Sequence, residues 1–342
     1  MKFIKKIALT LALVLVGAIA IPAVTQLQTN TVAHAETTAD TSSSSAVQTK
    51  ALSKPYVVYG AGLASSDRSS VASALGANDN YTSLTSTATD YSKYISSDGT
   101  TDSAMISSVA LAPADSGTGV KVNIVKYNGD SNITSVTAQQ YAMVATMAGV
   151  NDLIITVTAN KAVSGEAALT GVYKALAADG ITLSSENTSA ANGILEATQP
   201  AIDQNSDDKT YSGKLMAAVG TVSADLAKQR QDDNEYATKA EVRQMLDEAL
   251  EKNNVSSKTP DSSKVLIVNA LIQVQKAPVS TSKTYISNAK NVASSLKNSA
   301  GNAMAKLGDF ANSADGKALM AKYGNLFQRV WQQIVEFFQG IF

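Results

Sequence analysis

Three consecutive residues, Ser164, Gly165 and Glu166, have the types and spacing of a ligand-binding turn. They lie between an apolar β-like run and a helix-like run in TANKAVSGEAALTGVYKAL, residues 158–176. Unpaired backbone N–H groups at a helix N-terminus favour anions, so these three residues are the candidate ligand-binding residues. A structural interpretation is also open, with Ser164 as the N-cap, Glu166 complementing the helix dipole and Gly171 allowing close helix packing.

Two glycine-containing stretches lack the spacing of nucleotide-binding loops. Gly165 and Gly171 have five residues between them, and no Gly-Lys-Ser/Thr sequence follows, as a phosphate-binding loop would require. In YGAGLASS, Gly60 and Gly62 are present, but Ser65 stands where a dinucleotide-binding turn has its third glycine. Neither stretch predicts a phosphate site, and we expect no cofactor.

The titratable residues restrict the chemistry further. The chain has no cysteine, and its single histidine, His34, lies in a predicted leader. Catalytic triads with histidine, cysteine nucleophiles, disulfides and His/Cys zinc sites are therefore excluded downstream, and we expect no metal site. Glycoside hydrolysis by two carboxylates stays open, because the chain has 29 acidic residues. Ser294 and Lys297 have the Ser-x-x-Lys spacing of some hydrolases without the companion motifs, and a solvated helix face explains them better.

The first 54 residues have the composition of a leader and a linker. Lysines precede an apolar run at 7–21, and Ala-His-Ala at 33–35 is a cleavage sequence. This pattern predicts a signal peptide over residues 1–35, cleaved after Ala35, with a retained membrane anchor as the alternative. The protein would then be secreted, either extracellular or peripherally associated with the cell envelope. Residues 36–54 are rich in Ser and Thr and predict a disordered spacer.

Alternating strand and helix patterns follow the spacer. MISSVALAP and VKVNIVKY are β-like runs joined by DSGTG, which predicts a hairpin. SNITSVTAQQYAMVATMAGV has helical spacing and a glycine stop, and DLIITVTA is a nearly uninterrupted apolar strand, typical of burial on both faces. This order predicts an α/β fold with a small mixed sheet, a βαβ core and flanking helices.

We expect this α/β domain over residues 55–254, with a helical second half. Residues 255–263 are interpreted as a linker or loop, and residues 264–342 as a basic, mainly helical C-terminal extension. Residues 36–263 hold 16 basic and 26 acidic side chains, whereas residues 264–342 hold 9 basic and 3 acidic ones. The extension should therefore face something anionic: the acidic domain itself, a membrane surface or a cell-wall polymer. We do not expect nucleic acid as a partner.

The last 20 residues, YGNLFQRVWQQIVEFFQGIF, predict an amphipathic helix. Polar residues interrupt the apolar run, so it is not a membrane-spanning segment. A helix lying in a membrane interface fits the pattern, and so does docking on the protein's own domain or self-association. The candidate contact residues have three-to-four spacing and are Phe327, Val330, Trp331, Ile334, Phe338 and Ile341.

Several separated motifs carry a resemblance to a known family. NITSVTAQQYAMVATMAGVNDLIITVTANKAVSGEAALTGVYKALAADG, preceded by MISSVALAP and followed by YSGKLMAAVG, is similar to the YpuA-like secreted proteins of Gram-positive bacteria, catalogued as domain of unknown function number 1002. The resemblance covers roughly residues 56–275. It implies an exported protein of a Gram-positive bacterium and brings no established activity or catalytic residues.

Two functions from different classes follow. The preferred one is a non-enzymatic exported protein that binds or organises a component of the cell envelope. The alternative is a histidine-free hydrolase that acts on an envelope polysaccharide or another polymer through two carboxylates. A cleft with two inward carboxylates about 5 to 10 Å apart would favour the hydrolase.

Overall fold

The computed structural model describes residues 47–48, 50–95, 99–114 and 116–301. These residues form five strands and nine α-helices. None of the described helices combines the length and the hydrophobicity of a membrane-spanning segment. The strands are β1 (Tyr56–Gly60), β2 (Thr82–Ser86), β3 (Ser108–Pro113), β4 (Val120–Ile124) and β5 (Leu153–Thr158). The helices are α1 (Arg68–Leu75), α2 (Ala88–Tyr94), α3 (Ala138–Met147), α4 (Glu166–Ala178), α5 (Ser185–Gln204), α6 (Tyr211–Asp233), α7 (Lys239–Lys252), α8 (Asp261–Lys276) and α9 (Lys283–Leu296).

The strands form one mixed sheet in the order β2-β1-β3-β5-β4. β1 is parallel to β2, β4 is parallel to β5, and β3 is antiparallel to both of its neighbours, β1 and β5. The segments β1-α1-β2 and β4-α3-β5 are therefore two βαβ units joined through β3. This architecture confirms the predicted α/β fold with a small mixed sheet, a βαβ core and flanking helices.

The predicted hairpin of β3 and β4 is wrong, because β5 lies between these two strands. β3 pairs along its whole length with β5, from Ser108 opposite Thr158 to Pro113 opposite Leu153. The uninterrupted apolar sequence of β5 requires neighbours on both sides and cover on both faces. That interior position outweighs the local preference of the DSGTG turn for a hairpin.

Helices α1 and α4 lie on opposite faces of the sheet. In α4, a Cβ atom on Gly171 would lie 2.8 Å from Val109 Cγ1 and 3.2 Å from Val58 Cβ, so only glycine permits this approach. In α1, the Arg68 guanidinium lies 5.2 Å from the centroid of the Tyr59 ring. Val58 and Tyr59 are consecutive in β1 and therefore point to opposite faces. The interpretation of Gly171 as a packing residue is confirmed.

Helices α8 and α9 belong to the same hydrophobic core as the sheet. Ile267 and Leu271 of α8 are buried, as are Val292 and Leu296 of α9. The segment expected to be a linker or loop, 255–263, contains a short 3-10 turn and the start of α8. The described part of the predicted C-terminal extension is thus packed into the domain.

The end of the predicted disordered spacer is ordered. Gln48 and residues 50–54, which we call the N-terminal strap, lie against the domain. Gln48 N–H donates to the Gly149 carbonyl at 2.8 Å, and Leu52 is buried in the core. Ser53 N–H donates to the Asp179 carboxylate at 2.7 Å. Residues 48 and 50–54 are therefore packed on the domain, because long-range partners compensate for their polar composition.

Candidate functional site

The helix α4 begins at the residues predicted to bind a ligand. Gly165 is the N-cap and has a φ of 112°. Because glycine has no side chain, the N-cap residue itself supplies no capping hydrogen bond. The expectation that Ser164 is the N-cap is therefore wrong. Instead, the Ser107 hydroxyl next to β3 accepts a hydrogen bond from the Ala168 N–H at 2.9 Å. A serine distant in sequence thus takes the capping role.

The polar groups of Gly165 and Glu166 are bound by neighbouring elements. The Gly165 carbonyl accepts hydrogen bonds from the Tyr141 hydroxyl at 2.5 Å and from the Ser107 hydroxyl at 3.1 Å. The Glu166 carboxylate accepts one from the Tyr91 hydroxyl at 2.7 Å. Burial raises the pKa of the Tyr141 hydroxyl far above its usual range, so this donor keeps its proton.

The side chain of Ser164 is exposed, whereas its carbonyl is bound. That carbonyl accepts hydrogen bonds from the N–H groups of Ser135 and Val136 at 3.3 and 3.0 Å. The structure therefore brings the three predicted residues to a junction of α4 with α2, α3 and β3. Ligand binding by Ser164, Gly165 and Glu166 stays a prediction, and their present contacts are structural.

The glycines after β1 pack against the protein's own backbone. A Cβ atom on Gly60 would lie 2.1 Å from the Met105 carbonyl oxygen, and one on Gly62 would lie 2.5 Å from the Ser103 carbonyl oxygen. The Ala61 and Gly62 N–H groups donate to the carbonyls of Ser86 and Met105 at 2.9 and 2.8 Å. N–H groups engaged in this way do not point at a phosphate, in agreement with the absent nucleotide-binding spacing.

The exposed side of α9 carries a row of lysines. Lys283, Lys290 and Lys297 are seven residues apart, and all three are exposed. A seven-residue step returns to nearly the same side of a helix, so they lie along one line about 10 Å apart. We call this surface the basic face of α9. Residues 264–301 contain five lysines and no acidic residue.

Ion pairs account for part of this positive charge. Lys264 Nζ lies 2.9 Å from Asp247 Oδ1, and Lys290 Nζ lies 3.1 Å from Asp225 Oδ1. Lys276, Lys283 and Lys297 have no ion-pair partner among the described residues. The acidic domain therefore neutralises two of the five lysines in 264–301, and the basic face of α9 keeps two unpaired charges.

A groove of about 310 Å³ lies between α6, α7 and α9. Ser294 and Lys297 both line it, but each is exposed, as expected for a solvated helix face. Asp225 and Glu248 also line the groove. Asp225 is paired with Lys290, and Glu248 accepts a hydrogen bond from the Gln244 side chain at 3.0 Å. Both carboxylates thus have partners in the structure, and hydrolysis by a carboxylate pair stays a hypothesis.

Other predicted features lie outside the described residues. They include residues 1–35 and the apolar residues of the predicted amphipathic helix, Phe327, Val330, Trp331, Ile334, Phe338 and Ile341. Within the described part of the chain, there is no group of three or more acidic or histidine side chains arranged to hold a metal ion.

Comparison with known proteins gives a family match and one curated relative. The profile of the family described as "Protein of unknown function (DUF1002)" matches residues 59–292. A protein of Bacillus subtilis (strain 168) described as "Uncharacterized protein YpuA" is 28% identical over 287 residues, which cover 83% of this chain and 89% of the relative. No solved structure matches. The family match covers all of α8 and residues 283–292 of α9.

Proposed function

The chain belongs to the DUF1002 family, and we propose that it is an exported protein that binds the anionic membrane surface of the cell envelope through its basic C-terminal region. The observation that carries this proposal is the basic face of α9. The proposed role is non-enzymatic binding.

The charge of this surface suits an anionic membrane. A lysine close to such a surface contributes about 1 kcal/mol to binding, and this contribution falls within a Debye length. Lys283 and Lys297 are exposed and unpaired among the described residues, and Lys290 shares its charge with Asp225. The remaining exposed residues of α9 between them are neutral, so no acidic residue of α9 opposes the lysines.

The sequence after α9 favours a membrane over a polymer as the anionic partner. Residues 302–342 add the cations Lys306, Lys317, Lys322 and Arg329 and three acidic residues, Asp309, Asp315 and Glu336. The predicted amphipathic helix also has an apolar stripe with a tryptophan and phenylalanines, which are typical of interfacial helices. A membrane interface accommodates both the cations and the apolar stripe, whereas a hydrophilic wall polymer accommodates only the cations.

Cosedimentation with liposomes tests this proposal. The protein would be the chain from Glu36 to Phe342, the form that the predicted cleavage yields, mixed with anionic or neutral vesicles at low and high salt. We expect binding to anionic vesicles that weakens with salt. Replacing Lys283, Lys290 and Lys297 with Gln should weaken that binding by at least about tenfold, because each lysine contributes about 1 kcal/mol.

Two further variants distinguish the contribution of charge to vesicle binding from the contribution of apolar insertion. A triple substitution of the exposed residues Lys126, Lys161 and Lys239 with Gln changes the net charge equally and should leave vesicle binding nearly unchanged. Deletion of Tyr323–Phe342 should remove the salt-resistant part of binding. Equal losses of vesicle binding in the two triple variants would refute a specific role of α9. Binding to purified wall polymer without binding to vesicles would refute the membrane as the anionic partner.

A further inference from the structure

A second groove, of about 470 Å³, lies between the end of α2 and the first three turns of α5. We propose that this α2–α5 groove binds a neutral saccharide. The proposal is independent of membrane binding by α9, because the two surfaces share no residue. The uncharged polar side chains that line the groove are four hydroxyls, a phenol and one amide, whereas Lys93 and Glu196 supply one charge of each sign; the uncharged ones are Ser92, Tyr94, Ser185, Thr188, Ser189 and Asn192.

The groove side of α5 has polar residues at helical spacing. Ser185, Thr188, Asn192 and Glu196 follow at intervals of three or four residues and therefore share one side of the helix. The opposite side of α5 carries buried residues such as Ile194. A helix side that contacts a neighbouring element is usually apolar. Here the side turned to α2 is polar instead, as a hydrogen-bonding surface for a ligand requires.

Asn192 is a buried amide with an unused acceptor. Its side chain is 2% exposed and lines the groove. The Nδ2 group donates to the Tyr94 carbonyl at 2.6 Å, which fixes the amide, whereas Oδ1 has no hydrogen-bond partner among the described residues. Burying an acceptor without a donor is unfavourable. The oxygen is covered by its surroundings, so a ligand hydroxyl reaches it only when the groove lining opens around Asn192.

The charges of the groove favour a neutral ligand. Lys93 and Glu196 both line it, and their opposite charges cancel. Hydroxyl and amide groups can both donate and accept hydrogen bonds, as the hydroxyls of a sugar do. A phosphate or carboxylate ligand would meet only one cation and would also face a carboxylate. The lining therefore matches a neutral polyhydroxyl compound better than an anion.

The aromatic wall of the groove is held in place. The Tyr94 ring lies 5.9 Å from the Tyr173 ring at an interplanar angle of 58°, and Lys93 Nζ lies 4.8 Å from the Tyr94 ring centroid. Tyr173 is almost completely buried. A wall that is already ordered loses little conformational entropy on binding, which favours association. The volume of the groove is also within the range of small-ligand sites.

Titration with defined sugars tests the proposal. The full chain would be titrated, by calorimetry and NMR, with β-1,4-linked trisaccharides of glucose and of N-acetylglucosamine up to about 10 mM. We expect saturable binding of at least one of them with a Kd at or below about 1 mM. Ser189→Trp and Ser92→Trp place a bulky ring on opposite walls of the groove at exposed positions. Each should weaken binding at least tenfold.

The control is Ser69→Trp, an exposed serine on α1 away from the groove, which should bind like the unaltered chain. Far-ultraviolet circular dichroism verifies that the variants are folded. Absence of binding by both trisaccharides would overturn the proposal. An unchanged Kd in both groove variants would also overturn it, since the sugar would then bind elsewhere. Vesicle binding should be the same in all three variants, which separates this proposal from the proposed membrane contact.

Discussion

At Gly165, backbone conformation and space together require glycine. The residue has φ of 112°, a conformation that other residues adopt only with strain. A Cβ atom there would also lie 2.6 Å from the Tyr141 hydroxyl oxygen and 2.8 Å from Ile133 Cγ2. Gly129 also has a positive φ, of 93°, but a Cβ atom on it would have no heavy atom within 4 Å. Substitution of Gly129 therefore tests backbone strain alone, whereas substitution of Gly165 tests strain and steric crowding together.

We expect Gly165→Ala to lower the free energy of unfolding by at least about 2 kcal/mol, because strain and crowding add. Gly129→Ala should cost only about 1 kcal/mol, the part that comes from backbone strain. Urea denaturation of both variants measures the difference. Equal costs would show that the contacts of Gly165 with Tyr141 and Ile133 are not tight in solution.

Residues near a helix start are predictable only when their partners are local. The capping boxes of α3 and α7 use Thr137 with Gln140 and Thr238 with Glu241, each pair three residues apart. Their sequence pattern alone would have found them. At α4 the capping hydroxyl belongs to Ser107, 61 positions before Ala168. Nothing in the local sequence of α4 reveals that partner, so Ser164 is the natural but incorrect expectation.

At the scale of elements, small residues allow α6 and α9 to pack closely in antiparallel directions. A Cβ atom on Gly213 would lie 2.6 Å from the Leu296 carbonyl oxygen, and one on Gly220 would lie 3.3 Å from Ala293 Cβ. Gly193 of α5 differs, because its nearest neighbour would be Ala270 Cβ at 4.0 Å. Glycine inside a helix is unfavourable relative to alanine. Close packing explains Gly213 and Gly220, whereas Gly193 has no such contact.

Alanine substitutions should therefore have opposite effects on stability. Gly193→Ala should raise the free energy of unfolding by about 0.5 to 1 kcal/mol, because helix propensity improves without a clash. Gly213→Ala should lower it by roughly 1 to 3 kcal/mol, because a backbone carbonyl cannot move aside easily. Chemical denaturation measures both. Stabilisation by Gly213→Ala would mean that α9 does not pack closely on α6.

Helices and strands with strong local sequence patterns were predictable, but the order of the strands in the sheet was not. The apolar run of β5 and the helical spacing of α3 are properties of consecutive residues, and both elements form as expected. The position of β3 depends instead on its contacts with β1 and β5, which are long-range. A turn sequence such as DSGTG favours a hairpin only when the strands on either side have no better neighbours.

At the scale of the whole molecule, the N-terminal strap is bound to the rest of the domain at Asp179. The Asp179 carboxylate accepts hydrogen bonds from Ser53 N–H at 2.7 Å and from the Tyr56 hydroxyl at 2.8 Å. Burial raises the pKa of Asp179, but these bonds and the Lys50 ammonium outweigh burial and hold the pKa below its usual value. The strap is therefore held by an ionised carboxylate.

This arrangement predicts a loss of stability in acid. A carboxyl group whose pKa is lower in the folded state stabilises that state above its unfolded pKa, about 3.9, and this stabilisation is lost as the pH falls through the folded value. Asp179→Asn should lower the free energy of unfolding at pH 7 by roughly 1 to 2 kcal/mol. It should also flatten the dependence of stability on pH below about 4.

Urea denaturation between pH 2.5 and 7 would measure this dependence. Asp207→Asn, at an exposed aspartate without strap contacts, is the matched control. The same acid slope in Asp179→Asn as in the unaltered protein would contradict a role for this carboxylate in holding the strap. The strap could not be predicted from composition, because its Ser- and Thr-rich sequence is also typical of disorder and its partners lie far along the chain.

The strap also constrains the order in which the protein folds. Gln48 accepts a hydrogen bond from the Asn151 N–H, 103 positions away, and Asn151 in turn accepts one from Asn288, 137 positions further on. Closing loops of this length costs entropy before the contacts form, so they form late. A chain emerging N-terminus first lacks this closure until α9 has been released. The native contacts of Gln48, Asn151 and Asn288 therefore form only when synthesis, and any passage through a membrane channel, is nearly complete.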